Sequence, residues 1–73
     1  MQRHVGQQIR IVVNGEVVET SAATLAELVA ARGYAETAVA TALNGDFVPR
    51  QARAQAKLAA DDNVEIVAPR QGG

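Results

Sequence analysis

The chain has 73 residues, so we expect a single domain with one compact core. It contains no cysteine and a single histidine, which excludes a disulfide framework and argues against a metal site or thiol chemistry. The net charge of −1, with one tyrosine and one phenylalanine, argues against binding to nucleic acid or to an anionic membrane.

The first predicted element is a β-hairpin around Asn14-Gly15, in the segment IRIVVNGEVVET. Both residues of an Asn-Gly pair readily adopt positive φ, as a type I′ turn requires, and β-branched residues flank the pair. Apolar residues alternate along the first strand at Ile9, Ile11 and Val13. One face of this strand is therefore suited to a core.

The next segment, SAATLAELVAARGY, predicts a helix of about two to three turns. Thr24 followed by Glu27 is a capping box, and Gly33 is the expected residue just after the helix. The apolar stripe of the helix consists of Leu25, Leu28 and Val29. We expect this stripe to pack on the apolar face of the hairpin.

The segment ETAVATALNGDFVPR is compatible with two structures. Its alanines favour a helix. The alternation of Val39, Thr41 and Leu43 and the second Asn-Gly pair, at 44–45, favour a β-hairpin. Pro49 is acceptable at the end of a strand or on an edge strand. We therefore predict a second hairpin.

The remaining segments complete the predicted sheet. QARAQAKLAADDN predicts a short helix or loop in which Leu58 points inward and Asp61-Asp62-Asn63 form a turn. We interpret the two aspartates as turn residues rather than as an acid–base pair. VEIVA predicts a final strand with Val64 and Ile66 on one face.

The predicted order is ββαββ, a short turn region, then β. It predicts an α+β fold with one main helix packed on one face of a mixed sheet of about four or five strands. If the last strand lies beside and parallel to the first, a right-handed crossover joins them, which is the ubiquitin-like β-grasp arrangement. We expect a flexible N-terminal extension at 1–8, a β-grasp domain at 9–68 and a flexible Gly-Gly tail at 69–73.

Targeting signals are not expected. No apolar run approaches the roughly 20 residues that span a bilayer. The opening MQRHVGQQ lacks the apolar region of a signal peptide. We therefore expect a soluble, cytoplasmic domain.

Four segments resemble, in order and spacing, the ThiS family of sulfur carrier proteins from bacterial thiamine biosynthesis. They are VVNGEVVET, TLAELVAARG, VATALNGDFVPR and LAADDNVEIVAPRQGG, and the resemblance covers residues 9–73. Its most specific parts are ALNGDFVPR, the pattern L-x-x-D-D-x-V-E-I-V and the terminal Gly72-Gly73.

The resemblance implies a ubiquitin-like fold and a specific chemistry. Gly73 would supply its C-terminal carboxylate to a ThiF-type adenylating enzyme that uses ATP and Mg²⁺. A persulfide donor would then provide sulfur for a thiocarboxylate, which a ThiG-type thiazole synthase uses. Gly72 would give the tail flexibility and access. The chain would be a co-substrate rather than an enzyme, monomeric when free and without a bound cofactor.

Residues at the tail and on the sheet are candidate contacts with partners. Pro69 and Arg70 stand where members of the family vary, and they are expected to influence which adenylating enzyme accepts the tail. Phe47 fits either the core or an exposed interface. The valines expected on the strand faces opposite the core are Val12, Val18 and Val67.

Three alternative functions remain open from the sequence. The small subunit of molybdopterin synthase shares the fold, the Gly-Gly end and the thiocarboxylate. A carrier for another sulfur pathway, such as cysteine synthesis, is the second. The third belongs to a different class, a β-grasp module that binds partners through its sheet and is never activated.

Overall fold

The computed structural model describes residues 7–68, which form five strands and two helical segments. In chain order they are β1 (Ile9–Val13), β2 (Glu16–Thr20), α1 (Leu25–Ala31), β3 (Ala40–Leu43), β4 (Asp46–Val48), a 3₁₀ helix (Arg50–Gln55) and β5 (Asn63–Val67). This order is the predicted one. The predicted tail at 69–73 and most of the predicted extension at 1–8 lie outside the described residues.

The five strands form one mixed sheet in the order β2-β1-β5-β3-β4. β5 lies in the centre, parallel to β1 and antiparallel to β3. The second strand of each hairpin, β2 or β4, forms an edge. Because the first and last strands are adjacent and parallel, the fold is the predicted ubiquitin-like β-grasp.

Both hairpins turn on an Asn-Gly pair. The φ angles are +52° at Asn14 and +83° at Gly15, and +52° at Asn44 and +89° at Gly45. Positive φ at both central residues is the signature of the type I′ turn, whose twist matches that of the flanking strands. Both predicted turns are confirmed, including the one in the segment whose alanines favour a helix.

Helix α1 begins and ends at the predicted residues. Thr24 is the N-cap, and its Oγ1 accepts a hydrogen bond from the Glu27 N–H at 3.2 Å. The Ala23 N–H donates to Glu27 Oε1 at 2.7 Å, which completes the capping box one residue further back. After the helix, the N–H groups of Gly33 and Tyr34 donate to carbonyls of the last turn at 3.0 and 3.2 Å. These bonds limit the helix to seven residues.

The core lies between α1 and one face of the sheet, which we call the inner face. The side chains that are less than 2% exposed come from both layers: Ile11, Val13, Leu25, Leu28, Val29 and Val64. Ile66 and Leu58 are also buried, as predicted. Since successive residues of a strand point to opposite sides, the intervening residues form an outer face that α1 does not cover.

The predicted orientation of Val18 is wrong. Val18 lies opposite Ile11 and packs, partly buried, against the core, whereas Val17, opposite Val12, is 61% exposed. Across a two-residue turn, residues equally distant from the turn pair and share a face, so the partner of a buried residue also points inward. The predictions for Val12 and Val67 are confirmed, because both alternate with buried inner-face residues.

Arg53 is a buried residue that the sequence analysis did not single out. Its side chain is 3% exposed, and its Nε donates to Thr41 Oγ1 at 3.0 Å. Its Nη1 and Nη2 donate to the carbonyls of Glu36 and Val39 at 2.8 and 2.7 Å. Thr41 Oγ1 in turn donates to the Val48 carbonyl at 2.8 Å. The planar guanidinium therefore joins the loop before β3 to β3 and, through Thr41, to β4.

We predict that Arg53→Lys lowers the free energy of unfolding by about 1–3 kcal/mol, because one ammonium group cannot reach three separate acceptors. Arg50→Lys is the matched control. The Arg50 side chain is 50% exposed and pairs with Glu36 Oε1 at 3.8 Å, so its substitution should change the free energy of unfolding by less than about 0.5 kcal/mol. Urea denaturation measures both values. Equal denaturation midpoints for the two variants contradict the role assigned to Arg53.

Candidate functional site

The outer face of the sheet carries an exposed apolar surface. Phe47 is 70% exposed and Val67 is 59% exposed. The register places Ala42 of β3 opposite Phe47, and Ala40 opposite Val67. We call these four residues the outer patch. Phe47 therefore does not belong to the core, and of its two expected positions the structure supports the exposed one.

The orientation of Phe47 follows from its neighbour in β4. Val48 lies opposite the buried Thr41 and points to the inner face, so Phe47 must point to the outer face. Glu65, opposite Ala42, is exposed on the same outer face and adds one carboxylate beside the patch. A contiguous apolar surface with a polar neighbour is typical of a protein interaction site.

The outer patch lies at the point where β5 ends. Ile66 is 4% exposed and belongs to the core, the next residue, Val67, belongs to the outer patch, and Ala68 is the last described residue. The remaining predicted site residues lie outside the described residues: Pro69, Arg70, Gly72 and Gly73. The described structure therefore ends at the residue before the candidate tail.

Both turn asparagines also hold β5. The Asn44 N–H donates to the Asn63 carbonyl at 2.7 Å, and the Asn63 N–H donates to Asn44 Oδ1 at 2.8 Å. Asn44 Nδ2 donates to Asp62 Oδ1 at 3.0 Å. At the other end of β5, the Asn14 side chain accepts from the Ile66 N–H at 2.9 Å and donates to the Ile66 carbonyl at 3.1 Å.

Sequence reasoning assigned these asparagines to their turns and missed their contacts with β5. One signal was available. In the predicted topology, the first strand lies beside the last strand, β5. The first turn directly follows that first strand, so Asn14 lies next to β5. In the structure, β3 lies on the other side of β5 and leads into the second turn, so Asn44 also lies next to β5.

The paired aspartates serve the turn before β5. Asp61 has φ of +73°, and Asp62 Oδ2 accepts from the Ala59 N–H at 2.8 Å. The predicted turn role is confirmed. Among residues 7–68, no three His, Cys, Asp or Glu side chains are grouped as metal ligands. In the same part of the chain, none of the helices has the length and apolar character needed to cross a membrane.

Comparison with known proteins agrees with this architecture. A family model described as the ThiS family matches residues 11–73. The fold also matches the crystal structure of the thiamine biosynthesis protein ThiS from Geobacter metallireducens, with a TM-score of 0.73 and 26% sequence identity. That match covers 89% of this chain and 100% of the other. No curated protein matches the chain significantly.

The fold and the outer patch define a ubiquitin-like β-grasp protein with an exposed apolar surface at the end of its last strand. Since the family model matches nearly the whole sequence, the chain belongs to the ThiS family. The resemblance inferred from the sequence motifs is confirmed.

We predict that Phe47→Ser changes the free energy of unfolding by less than about 1 kcal/mol, because the ring is mostly in contact with water. Leu28→Ala is the comparison. Leu28 is 1% exposed, and its truncation should lower the free energy of unfolding by about 2–5 kcal/mol. Chemical denaturation gives both values. If the two variants lose the same stability, Phe47 is part of the core and the outer patch is wrongly assigned.

Proposed function

We propose that this chain is a sulfur carrier of thiamine biosynthesis and that the carboxylate of Gly73 carries the sulfur. The observation that supports this most strongly is that the ThiS family model matches the chain as far as Gly73. The fold of the Geobacter metallireducens thiamine biosynthesis protein supports the same pathway. On this proposal the chain is a substrate of other enzymes and does not itself catalyse a reaction.

The proposed chemistry requires a free carboxylate at the end of a thin segment. An α-carboxyl group has a reference pKa of about 3.3–3.7, so it is ionised at neutral pH. One carboxylate oxygen attacks the α-phosphorus of ATP, pyrophosphate leaves, and an acyl-adenylate forms on Gly73. ATP and Mg²⁺ belong to the adenylating partner.

Sulfur transfer then replaces AMP. The terminal sulfur of a persulfide attacks the acyl carbon, and AMP leaves with its bonding electrons. A thiol cleaves the resulting sulfur–sulfur bond, which leaves a thiocarboxylate on Gly73 and a disulfide on the donor side. The thiocarboxylate sulfur is then available to a ThiG-type thiazole synthase.

The residues after β5 suit the entry of the tail into a partner's active site. Pro69 cannot donate to a sheet ladder, which favours the release of the chain from the strand. The five residues 69–73 reach at most about 16–18 Å when extended. Without a Cβ atom, Gly72 and Gly73 allow a close approach to a nucleotide. Arg70 is positioned in the sequence to contact acidic groups of the adenylating enzyme.

The outer patch is proposed to bind the ThiF-type adenylating enzyme. Ordering a tail costs roughly 1–2 kcal/mol per residue, which contacts elsewhere must offset. The outer patch is adjacent to the start of the tail, and Phe47 provides its largest apolar side chain. An aromatic residue of this kind is a frequent source of binding energy at interfaces.

The direct test combines intact-mass measurement with changes at the C-terminus. After incubation with a ThiF-type enzyme, ATP, Mg²⁺ and a persulfide donor, the mass should rise by the difference between a sulfur and an oxygen atom. A variant without Gly73, and one with an alanine added after it, should show no mass change and no release of pyrophosphate, because neither presents the terminal glycine carboxylate at the proper reach.

The enzyme's activity towards its own known carrier is the control for this test. If the enzyme modifies its own carrier but the mass of this full chain does not change, the proposal is contradicted. That result would favour the alternative of a β-grasp module that binds partners without being activated.

We further predict that Phe47→Ser raises the KM of the adenylating enzyme for this chain by about tenfold, with kcat within about twofold, because it removes binding that is equal in the ground and transition states. Arg32→Ala is the control, because Arg32 is exposed at the end of α1, on the other side of the sheet. Steady-state release of pyrophosphate gives both constants. Equal KM values for the two variants contradict docking through the outer patch.

A further inference from the structure

The central strand β5 extends beyond its parallel neighbour β1. The register pairs Val13 with Val64, and the Asn14 N–H donates to the Val64 carbonyl at 2.9 Å. At Asn14 the chain turns away into β2, while β5 continues to Val67. In the described register, therefore, no residue of β1 lies opposite Ile66.

The side chain of Asn14 occupies the position that β1 would occupy beside Ile66 if the strand continued. Along a strand, alternate residues direct their backbone groups to the same neighbour, so Ile66 is the next residue after Val64 to face β1. Asn14 Oδ1 accepts from the Ile66 N–H at 2.9 Å, and Nδ2 donates to the Ile66 carbonyl at 3.1 Å. A side-chain amide carries a donor and an acceptor in one plane, as a peptide does, so it extends the ladder by one residue.

This contact is made three residues before the tail, which begins at Pro69. Ile66 is anchored in the core, and Val67, next in the chain, is in the outer patch. The two hydrogen bonds therefore fix the backbone of the residue that comes directly before Val67 and the tail. Without them, the end of the strand can open locally, and the start of the tail gains conformations that must be lost again on binding.

We propose that Asn14 is a positioning residue for the C-terminal tail and that its amide sets the place and direction in which the chain leaves the domain. This inference rests on the proposed function, in which Gly73 is activated in a partner's active site. It assigns to the first turn a role in the reaction that is separate from its role in forming the hairpin.

The test compares Asn14→Gly with Asn44→Gly. Both residues have φ of +52°, and a Gly-Gly pair is also accepted in a type I′ turn, so each variant loses a side-chain amide and keeps its turn. Asn44 contacts the start of β5 rather than its end. Asn14→Gly should accelerate hydrogen exchange of the Ile66 amide by about tenfold, and Asn44→Gly should not.

The kinetic result separates positioning from stability. With a ThiF-type enzyme, Asn14→Gly should lower kcat for pyrophosphate release by about tenfold and change KM by less than about twofold, because docking is intact and the carboxylate is misplaced. Asn44→Gly should leave kcat within about twofold of the unmodified chain.

Asn14→Asp keeps the acceptor and replaces the donor by an oxygen that faces the Ile66 carbonyl. It should lower kcat in the same direction without adding a flexible glycine, and it carries the test if Asn14→Gly does not fold.

The outcomes distinguish this proposal from the proposed function. If the unmodified chain is adenylated and the Asn14 variants have the same kcat as Asn44→Gly, the role of Asn14 is wrong and the sulfur-carrier function stands. Unchanged exchange at Ile66 in Asn14→Gly also overturns the role of Asn14. If the unmodified chain is not adenylated by an enzyme that is active on its own carrier, the proposed function fails, and the positioning role fails with it.

Discussion

Strand β5, which lies between β1 and β3, holds the two halves of the sheet together. The strand is bonded on both sides, and its inward residues Val64 and Ile66 are 0% and 4% exposed. The two hairpins form from residues close in sequence, but they become one sheet only through β5. Asn14 and Asn44 add side-chain hydrogen bonds at the two ends of the same strand. The last described strand is therefore held along both edges and at both ends.

Side chains along β5 alternate between the core and the outer face, so the same strand that stabilises the sheet also contributes to the outer patch. The period that buries Val64 and Ile66 turns Glu65 and Val67 outward, next to Ala42 and Ala40 of β3. A domain of this size has little apolar surface to bury, yet its single phenylalanine lies outside the core. The docking that we propose for the adenylating enzyme would cover this ring. The tail that we propose to react begins two residues after Val67 in the sequence.

The elements predicted correctly from the sequence depend on local signals. The Asn-Gly turns need positive φ, the capping box needs two side chains within one helical turn, and the strands show a period of two. The orientation of Val18 could also have been obtained, by counting across the first turn to Ile11. The direction of Phe47 could have been obtained in the same way, because counting across the second turn pairs it with Ala42, on the face opposite Thr41 and Leu43. Its own strand of three residues is too short to show a period.

The contacts that the sequence analysis missed join segments that are far apart along the chain. Arg53 is buried because three oxygens from two other segments converge on its guanidinium, and no pattern around residue 53 records their positions. The hydrogen bond between Asn14 and Ile66 joins residues 52 positions apart in the sequence. It forms because β5 extends beyond the end of β1. The proposed chemistry of the tail had a different source, since it followed from family resemblance rather than from the residues' spacing.

Sulfur on Gly73 can be sought directly in the chain taken from cells that are making thiamine. Cleavage after Arg70 releases the peptide of residues 71–73, and fragmentation in a mass spectrometer assigns its atoms to individual residues. We expect that, in a fraction of this peptide, sulfur replaces one carboxylate oxygen of Gly73. A peptide that carries only oxygen at Gly73, in cells whose thiazole synthesis depends on this chain, would contradict this expectation.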